Sequence, residues 1–275
     1  TGFINFVAGI GKDFKTDYIV FALDAKGTTF RNELFDNYKA QRPDVPEDLL
    51  TQLPVAISWV EKMGFKIAIR TGYEADDMVA SIAKDAKEKG FEVRIVSHDK
   101  DLYQLIDDAN SVYLFDPTKK QIINEAKCIE KYGVTPKQFI DYQALVGDTA
   151  DNIPGVKGVG AKTAQTLIEQ FGTLENIYEN IENIDKKRTK ELLIEGKENA
   201  FLSKQLVTLK DDCHFISNID EFSLPSENPI LKIASDLESY DMHRIIERVN
   251  KNGLNYKTEV PKKAEDEKIE YILLN

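Results

Sequence analysis

The strongest constraint on the fold is a pattern that recurs along the first hundred residues. A short apolar run ends in an acidic loop, and a helical stretch follows. Tyr18-Ile-Val-Phe-Ala-Leu23 runs straight into Asp24. Phe65-Lys-Ile-Ala-Ile69 leads to Gly72-Tyr-Glu-Ala-Asp-Asp77, which opens a helix over 78–83. Phe91-Glu-Val-Arg-Ile-Val96 is followed by Ser-His-Asp-Lys-Asp101 and a helix from Leu102 to Ile106. Ser111–Phe115 is a fourth strand, with Asp116-Pro117 as its turn. Tyr18–Leu23 is continuously apolar rather than alternating, which suits burial on both faces of a parallel sheet. The alternation of strand and helix predicts an α/β fold with a largely parallel central sheet and flanking helices.

The remaining segments are helical in pattern. Phe3, Phe6, Val7 and Ile10 form a stripe over 2–12. Residues 28–42 read as a polar, weakly amphipathic helix that Pro43 and Pro46 break. Residues 47–63 read as a second helix, with Pro54 as a potential kink. Thr135-Pro136 caps a helix through Val146, and Ala161–Phe171 is another, ended by Gly172. Helices over 186–195 and 197–209 follow, and 236–250 holds the last helical material. Residues 257–268 are charged and poor in apolar groups, the composition of a linker. Lys268-Ile-Glu-Tyr-Ile-Leu-Leu-Asn275 reads as a strand opening a following domain. The expected division is an α/β core over 1–133 with an arch at about 28–62, a helical lobe over 134–255, and the linker with its trailing strand over 256–275.

In sheets of this kind, functional groups gather at the carboxyl ends of the strands. Asp24, Glu74, Asp76, Asp77, Asp99 and Asp101 all fall there, and Asp148 and Asp151 add two acids from a loop. So many carboxylates in one place would repel one another unless cations neutralise them. Oxygen-only ligands favour Mg²⁺ or Mn²⁺ over zinc. Two such ions about 4 Å apart suit phosphodiester cleavage. Each acidic group taken singly also has a plain use, as a helix cap, a dipole partner or a turn residue. His98 beside them reads as a solvated neighbour.

The run Ile153-Pro-Gly-Val-Lys-Gly-Val-Gly-Ala-Lys-Thr163 is a glycine-rich turn entering a helix. Gly155, Val156, Lys157, Gly158, Val159, Gly160, Lys162 and Thr163 are candidates for meeting a phosphate backbone, which carries no base information. On a 28–42 helix, Arg31, Tyr38 and Arg42 would share a face with Lys39 beside them, either solvated or meeting phosphates while Tyr38 stacks on a base. A net charge of −11 argues against a generic nucleic-acid binder. Clustered metal-binding acids inflate that count, so local charge matters more. No apolar run reaches membrane-spanning length and no signal-peptide pattern opens the chain. Cys128 and Cys213 lack metal-type spacing and read as reduced core thiols of a cytoplasmic protein.

Phe21-Ala-Leu-Asp-Ala-Lys-Gly27, Thr29-Phe-Arg31, Tyr38-Lys39 and Arg42-Pro43 resemble the 5′-nuclease domain at the amino end of bacterial DNA polymerase I. So do Gly72–Asp77, Asp99–Gln104 and Gly147–Gly160, in order, over residues 1 to about 255. The resemblance implies a PIN-like nuclease core, a helical arch and a helix–three-turn–helix element. It implies a structure-selective 5′→3′ exonuclease and flap endonuclease, acting on DNA with a 5′ flap or on nicked or branched duplex. Asp24, Glu74, Asp76, Asp77, Asp99 and Asp101 would serve the catalytic metal, and Asp148 and Asp151 a second. Arg31, Lys39 and Arg42 would contact the scissile phosphate or the flap, and Tyr38 would stack. K⁺ would sit at the helix–three-turn–helix, and polymerase domains of the same parent chain would follow a monomeric nuclease. The family also opens with a buried strand ending in a metal-binding Asp, which has no counterpart ahead of Thr1. A sheet without its central strand is therefore expected, and a branched-DNA-binding fragment impaired in cutting is the competing reading. An RNA-cleaving nuclease is a third, disfavoured by the arch and the glycine turn.

Overall fold

The structure is a computed structural model that describes residues 2–14, 16–43, 45–251 and 270–274. Its centre is a six-stranded sheet in the order β2-β1-β6-β3-β4-β5. The strands are β1 (Tyr18–Ala22), β2 (Lys66–Ala68), β3 (Glu92–Val96), β4 (Val112–Asp116), β5 (Gln121–Ile123) and β6 (Glu270–Leu274). All neighbours are parallel except the β4–β5 hairpin. The hairpin's second strand, Gln121-Ile-Ile123, is too short to show a period in the sequence.

Successive residues of β1 point to opposite faces, and both faces are covered. Val20 and Ala22 pack into the core shared with α4 (Ala75–Glu88) and the helical lobe, while Ile19 and Phe21 pack into a second core. The second core is closed by α1 (Gly2–Asp13), α3 (Glu47–Met63), α11 (Ala234–Ser239) and α12 (His243–Lys251). A strand covered on both faces has no reason to alternate, which is why the apolar run was continuous.

Three segments depart from expectation. The 28–42 helix is instead a short α2 (Phe30–Leu34) followed by turns through Arg42. It breaks because the backbone of 37–39 is tied to the 151–152 loop: Lys39 N–H donates to Asp151 O at 3.0 Å, and the Asn152 amide donates to Asn37 O at 2.7 Å. The segment Asp101–Leu105 is a 3₁₀ rather than an α-helix. The trailing strand joins the sheet: β6 lies between β1 and β3, parallel to both, so the sheet has a central strand. The linker over 257–268 lies outside the described residues.

The helical lobe follows the β5 strand. It comprises α5 (Glu125–Tyr132), α6 (Pro136–Val146), α7 (Ala161–Phe171), α8 (Leu174–Glu179), α9 (Lys187–Glu195) and α10 (Lys197–Val207). Thr135 and Gln138 form a reciprocal capping box at the start of α6, as Thr135-Pro136 signalled. Phe139 and Leu145 of α6, Ala164 and Leu167 of α7, and Leu193 of α9 join the core that covers the sheet, so lobe and sheet are one packed body. Cys128 and Cys213 are buried free thiols, and burial pushes the Cys128 thiol up to about 12.

Candidate metal centre and nucleic-acid interface

The parallel strands all end at one edge of the sheet, and the loops leaving that edge carry the acids. Asp24 follows β1 and accepts from the Ala75 N–H at 2.7 Å, which ties the β1 end to the start of α4. Glu74 caps α4, and Asp76 lies in that helix's first turn, where carboxylates complement the helix dipole. Asp99 follows β3 and accepts from the Asp101 N–H at 2.9 Å. Asp148 and Asp151 come from the loop after α6.

Carboxylate oxygens of Asp101, Asp148 and Asp151 lie within 4.8 Å of one another. Asp148 and Asp151 are buried, so solvent does little to screen their repulsion. Burial, together with Asp99 and the opposing effect of Gln143, leaves the Asp101 carboxyl pushed up to about 6. Burial and the nearby Asp99, Asp101 and Glu74 raise the Asp76 carboxyl well above the usual range. These groups resist ionisation until a cation joins them. Close carboxylates of an all-oxygen set fit a hard divalent ion, so the residues present suit the metal that the acids suggested.

Cations from two segments face the acids. Lys39 Nζ is 2.6 Å from Glu74 Oε1 and 3.9 Å from Asp151. Arg42 donates to Asp151 through Nε at 3.1 Å, and Lys100 Nζ is 3.0 Å from Asp148. Gln41 donates to Thr149 O, so residues 37–42 dock on the acidic loop at several points. The Arg42 side chain remains half exposed.

Four residues stand where their predicted roles do not put them. Arg31 is 1% exposed and cannot reach a phosphate in this arrangement. Its Nη1 and Nη2 each donate to Asp77 at 2.8 Å, and its Nε donates to Leu206 O at 2.7 Å. Asp77 is correspondingly not open to a metal: it is fully buried, and it also accepts from the N–H groups of Glu74 and Lys210. Those four bonds use the acceptor capacity of its carboxylate. Arg31 and Asp77 therefore act as a strut joining α2, α4 and the end of α10. Tyr38 is also buried; its hydroxyl donates to Glu74 at 3.0 Å, so its ring is not presented for stacking on a base. Gly155 is buried, and its N–H donates to Ser203 Oγ on α10 at 2.9 Å.

The glycine turn is built by the backbone. Asp148 and Ile153 exchange both backbone bonds, at 2.9 and 2.7 Å, and Val156 N–H returns to Leu145 O at 2.8 Å. Gly155 has φ +59°, and a Cβ there would lie 2.5 Å from Gly147 N. Val156 and Val159 are buried, so their side chains anchor the turn instead of meeting a ligand. Lys157, Gly158, Gly160 and Lys162 face solvent, and Thr163 is half-buried. Among the described residues, the N–H groups of Lys157, Gly158 and Gly160 have no protein acceptor. They stand at the start of α7, where amides and two lysines can meet a phosphate. Sequence reasoning missed Lys100 and Gln143, whose partners lie 48 and 42 residues away. Only the nearness of Lys100 to Asp99 and Asp101 hinted at the first.

Acids at the edge of a parallel sheet, beside cationic turns, define a metal-dependent nuclease centre. The chain matches the 5′-3′ exonuclease N-terminal resolvase-like domain over residues 1–133 and the 5′-3′ exonuclease C-terminal SAM fold over residues 134–229. It belongs to the 5′-3′ exonuclease family. It is 42% identical over 250 residues to DNA polymerase I of Helicobacter pylori, covering 87% of this chain and 27% of that one. It is 36% identical over 253 residues to a 5′-3′ exonuclease of Aquifex aeolicus, covering 91% of this chain and 84% of the relative. The chain thus spans about a quarter of the polymerase relatives and most of the free-standing exonuclease. The phage T5 5′-exonuclease, solved with zinc bound, superposes with a TM-score of 0.67 at 26% identity over 90% of each chain. A T5 flap endonuclease variant in complex with DNA and metal ions gives 0.65 at 26% identity, over 90% of this chain and 89% of that one.

Proposed function

We propose that the chain is a structure-selective 5′→3′ exonuclease and flap endonuclease that hydrolyses DNA phosphodiesters with two divalent ions, Mg²⁺ or Mn²⁺. The observation that carries this is the convergence of Asp101, Asp148 and Asp151 within 4.8 Å, next to Asp76 and the cationic 39–42 turn. Asp76 and Asp101 would hold one ion with Glu74, Asp24 and Asp99, and Asp148 and Asp151 the other. When bound, the ions supply an activated water at neutral pH and neutralise the leaving oxygen.

The chain's own residues do the rest. Lys39 and Arg42 now neutralise Glu74 and Asp151; with ions on those acids, the same cations are placed to hold the scissile phosphate. Lys157, Gly158, Gly160 and Lys162 grip the duplex backbone, with K⁺ as a further ligand of that turn. The docking of residues 37–42 on 149–152 couples the grip to the centre, because α6 and the glycine turn carry that loop. DNA with a 5′ flap, or nicked or branched duplex, suits a site with a duplex grip on one side and cationic turns on the other. Okazaki-fragment primer removal and DNA repair are the processes this serves, by a cytoplasmic monomer joined to polymerase domains of its parent chain.

A labelled 5′-flap duplex, incubated with and without Mg²⁺, tests the proposal. Metal-dependent cutting near the junction supports it. Binding without product in Mg²⁺ would favour the branched-DNA-binding module, and faster cutting of an RNA flap would favour the RNA nuclease.

A further inference from the structure

We infer that Gln143 is a positioning residue of the metal centre: its amide nitrogen fixes Asp101, and its otherwise unpaired carbonyl oxygen would accept from a water of the ion held there. The inference rests on the metal-dependent reading above. Gln143 lies on α6, 3% exposed, and its Nε2 donates to Asp101 Oδ1 at 2.5 Å. With a divalent ion bound, Asp101 is an ionised carboxylate, which only accepts, so in that state the amide nitrogen is the atom that faces it.

That orientation strands the other end. Gln143 Oε1 is buried, and among the described residues no protein donor reaches it. A leucine or methionine would fill the same space without burying an unsatisfied oxygen, so the packing alone gives no reason for a glutamine. The oxygen belongs to a side chain in direct contact with Asp101, which lies in the Asp101, Asp148 and Asp151 cluster. A water in the shell of a divalent ion is a strong donor, and metal centres commonly depend on such outer contacts to orient their ligands.

The position on the chain strengthens the case. The Gln143 carbonyl accepts from Gly147 N–H at 2.7 Å, which closes α6 just before Asp148. One residue thus bonds Asp101, which follows a strand, through its side chain, and fixes the approach to Asp148 through its backbone. The sheet edge and the helical lobe meet at this residue.

The test uses Gln143→Leu and Gln143→Glu in the full chain, with Mn²⁺ as the probe. Mn²⁺ binding is followed by electron paramagnetic resonance and calorimetry, alongside Tm without metal and DNA affinity without metal. We expect Gln143→Leu to weaken one of the two ions about 10–100-fold and leave the other unchanged. Its metal-free Tm should be equal or higher, and its DNA affinity unchanged. Gln143→Glu keeps an acceptor but sets a carboxylate against Asp101, so its metal-free Tm should fall and Mn²⁺ should restore it. Unchanged affinity for both ions in Gln143→Leu would overturn the inference while leaving the nuclease reading intact. So would a lower Tm with both ions and DNA weakened together, the mark of a merely structural role. A parent chain that binds no Mn²⁺ would overturn the metal reading itself, and this inference with it.

Discussion

Replacing Arg31 by methionine removes the guanidinium that neutralises Asp77 at a place water does not reach. Arg31 is 1% exposed and Asp77 0%. Removing one partner of a buried ion pair leaves an uncompensated charge and costs about 3–5 kcal/mol. Leu206 O also loses its 2.7 Å donor. The double variant Arg31→Met, Asp77→Leu carries no stranded charge. It still leaves the N–H groups of Glu74 and Lys210 without their carboxylate, but neither residue is buried, so water can replace it and the two together cost about 1–3 kcal/mol. The double variant should therefore be more stable than Arg31→Met alone, by roughly 2 kcal/mol. Lys62→Met is the control: its side chain is 51% exposed and its partner Asp236 28%, and it should cost only about 0–1 kcal/mol. Urea unfolding followed by circular dichroism and by Trp59, the single tryptophan, measures all three. The strut is refuted if Arg31→Met costs less than about 1 kcal/mol, or if the double variant is no more stable than that single one.

Further expectations concern pH, the turn and the grip. The Asp101 carboxyl is raised from 3.8 to about 6 in the fold. A raised acid favours folding below its unfolded value, and that contribution is lost as pH rises through about 6. Without divalent ions the protein should lose stability between about pH 4 and 7, and the Tm gain from added Mn²⁺ should be larger at pH 8 than at pH 5. Differential scanning calorimetry at the two pH values reads this, and an equal gain at both would contradict it. Gly155→Ala places a Cβ 2.5 Å from backbone at φ +59°, so it should destabilise by more than about 2 kcal/mol in urea unfolding. Lys157→Ala and Lys162→Ala should each weaken duplex binding evenly across sequences and lower the salt slope by about 1, without altering Mn²⁺ affinity.

What the sequence made legible was local chemistry with a local cause. Tyr18–Leu23 revealed a buried strand because both of its faces are covered, and Asp24 marked the functional edge because the strand ends there. Thr135-Pro136 and Gly172 announced helix ends through capping that needs no distant partner. The errors share the opposite property. Residues 28–42 carry helix-compatible residues, yet Asn152 and Asp151, more than a hundred positions away, hold 37–42 in turns. Arg31 looked like an exposed cation because its partner Asp77 is 46 residues off. Asp77 looked like a ligand because it adjoins Asp76, although successive residues of a helix point in different directions. Gly155 looked like part of a phosphate cradle, whereas its missing side chain serves the close approach to Gly147. The place of β6 in the sheet depends on pairing with strands some 170 to 250 residues earlier, which no local pattern reports.

The most direct test of the central claim is single-turnover cleavage of a labelled 5′-flap DNA in Mg²⁺, comparing the parent chain with an Asp148→Ala, Asp151→Ala double variant. Duplex binding is measured alongside for each protein. The account predicts cutting near the junction by the parent chain, abolished by chelation and lost by at least 100-fold in the variant, with duplex affinity retained through Lys157–Lys162. Equal cleavage by the variant, or cleavage that persists without divalent ions, would contradict it.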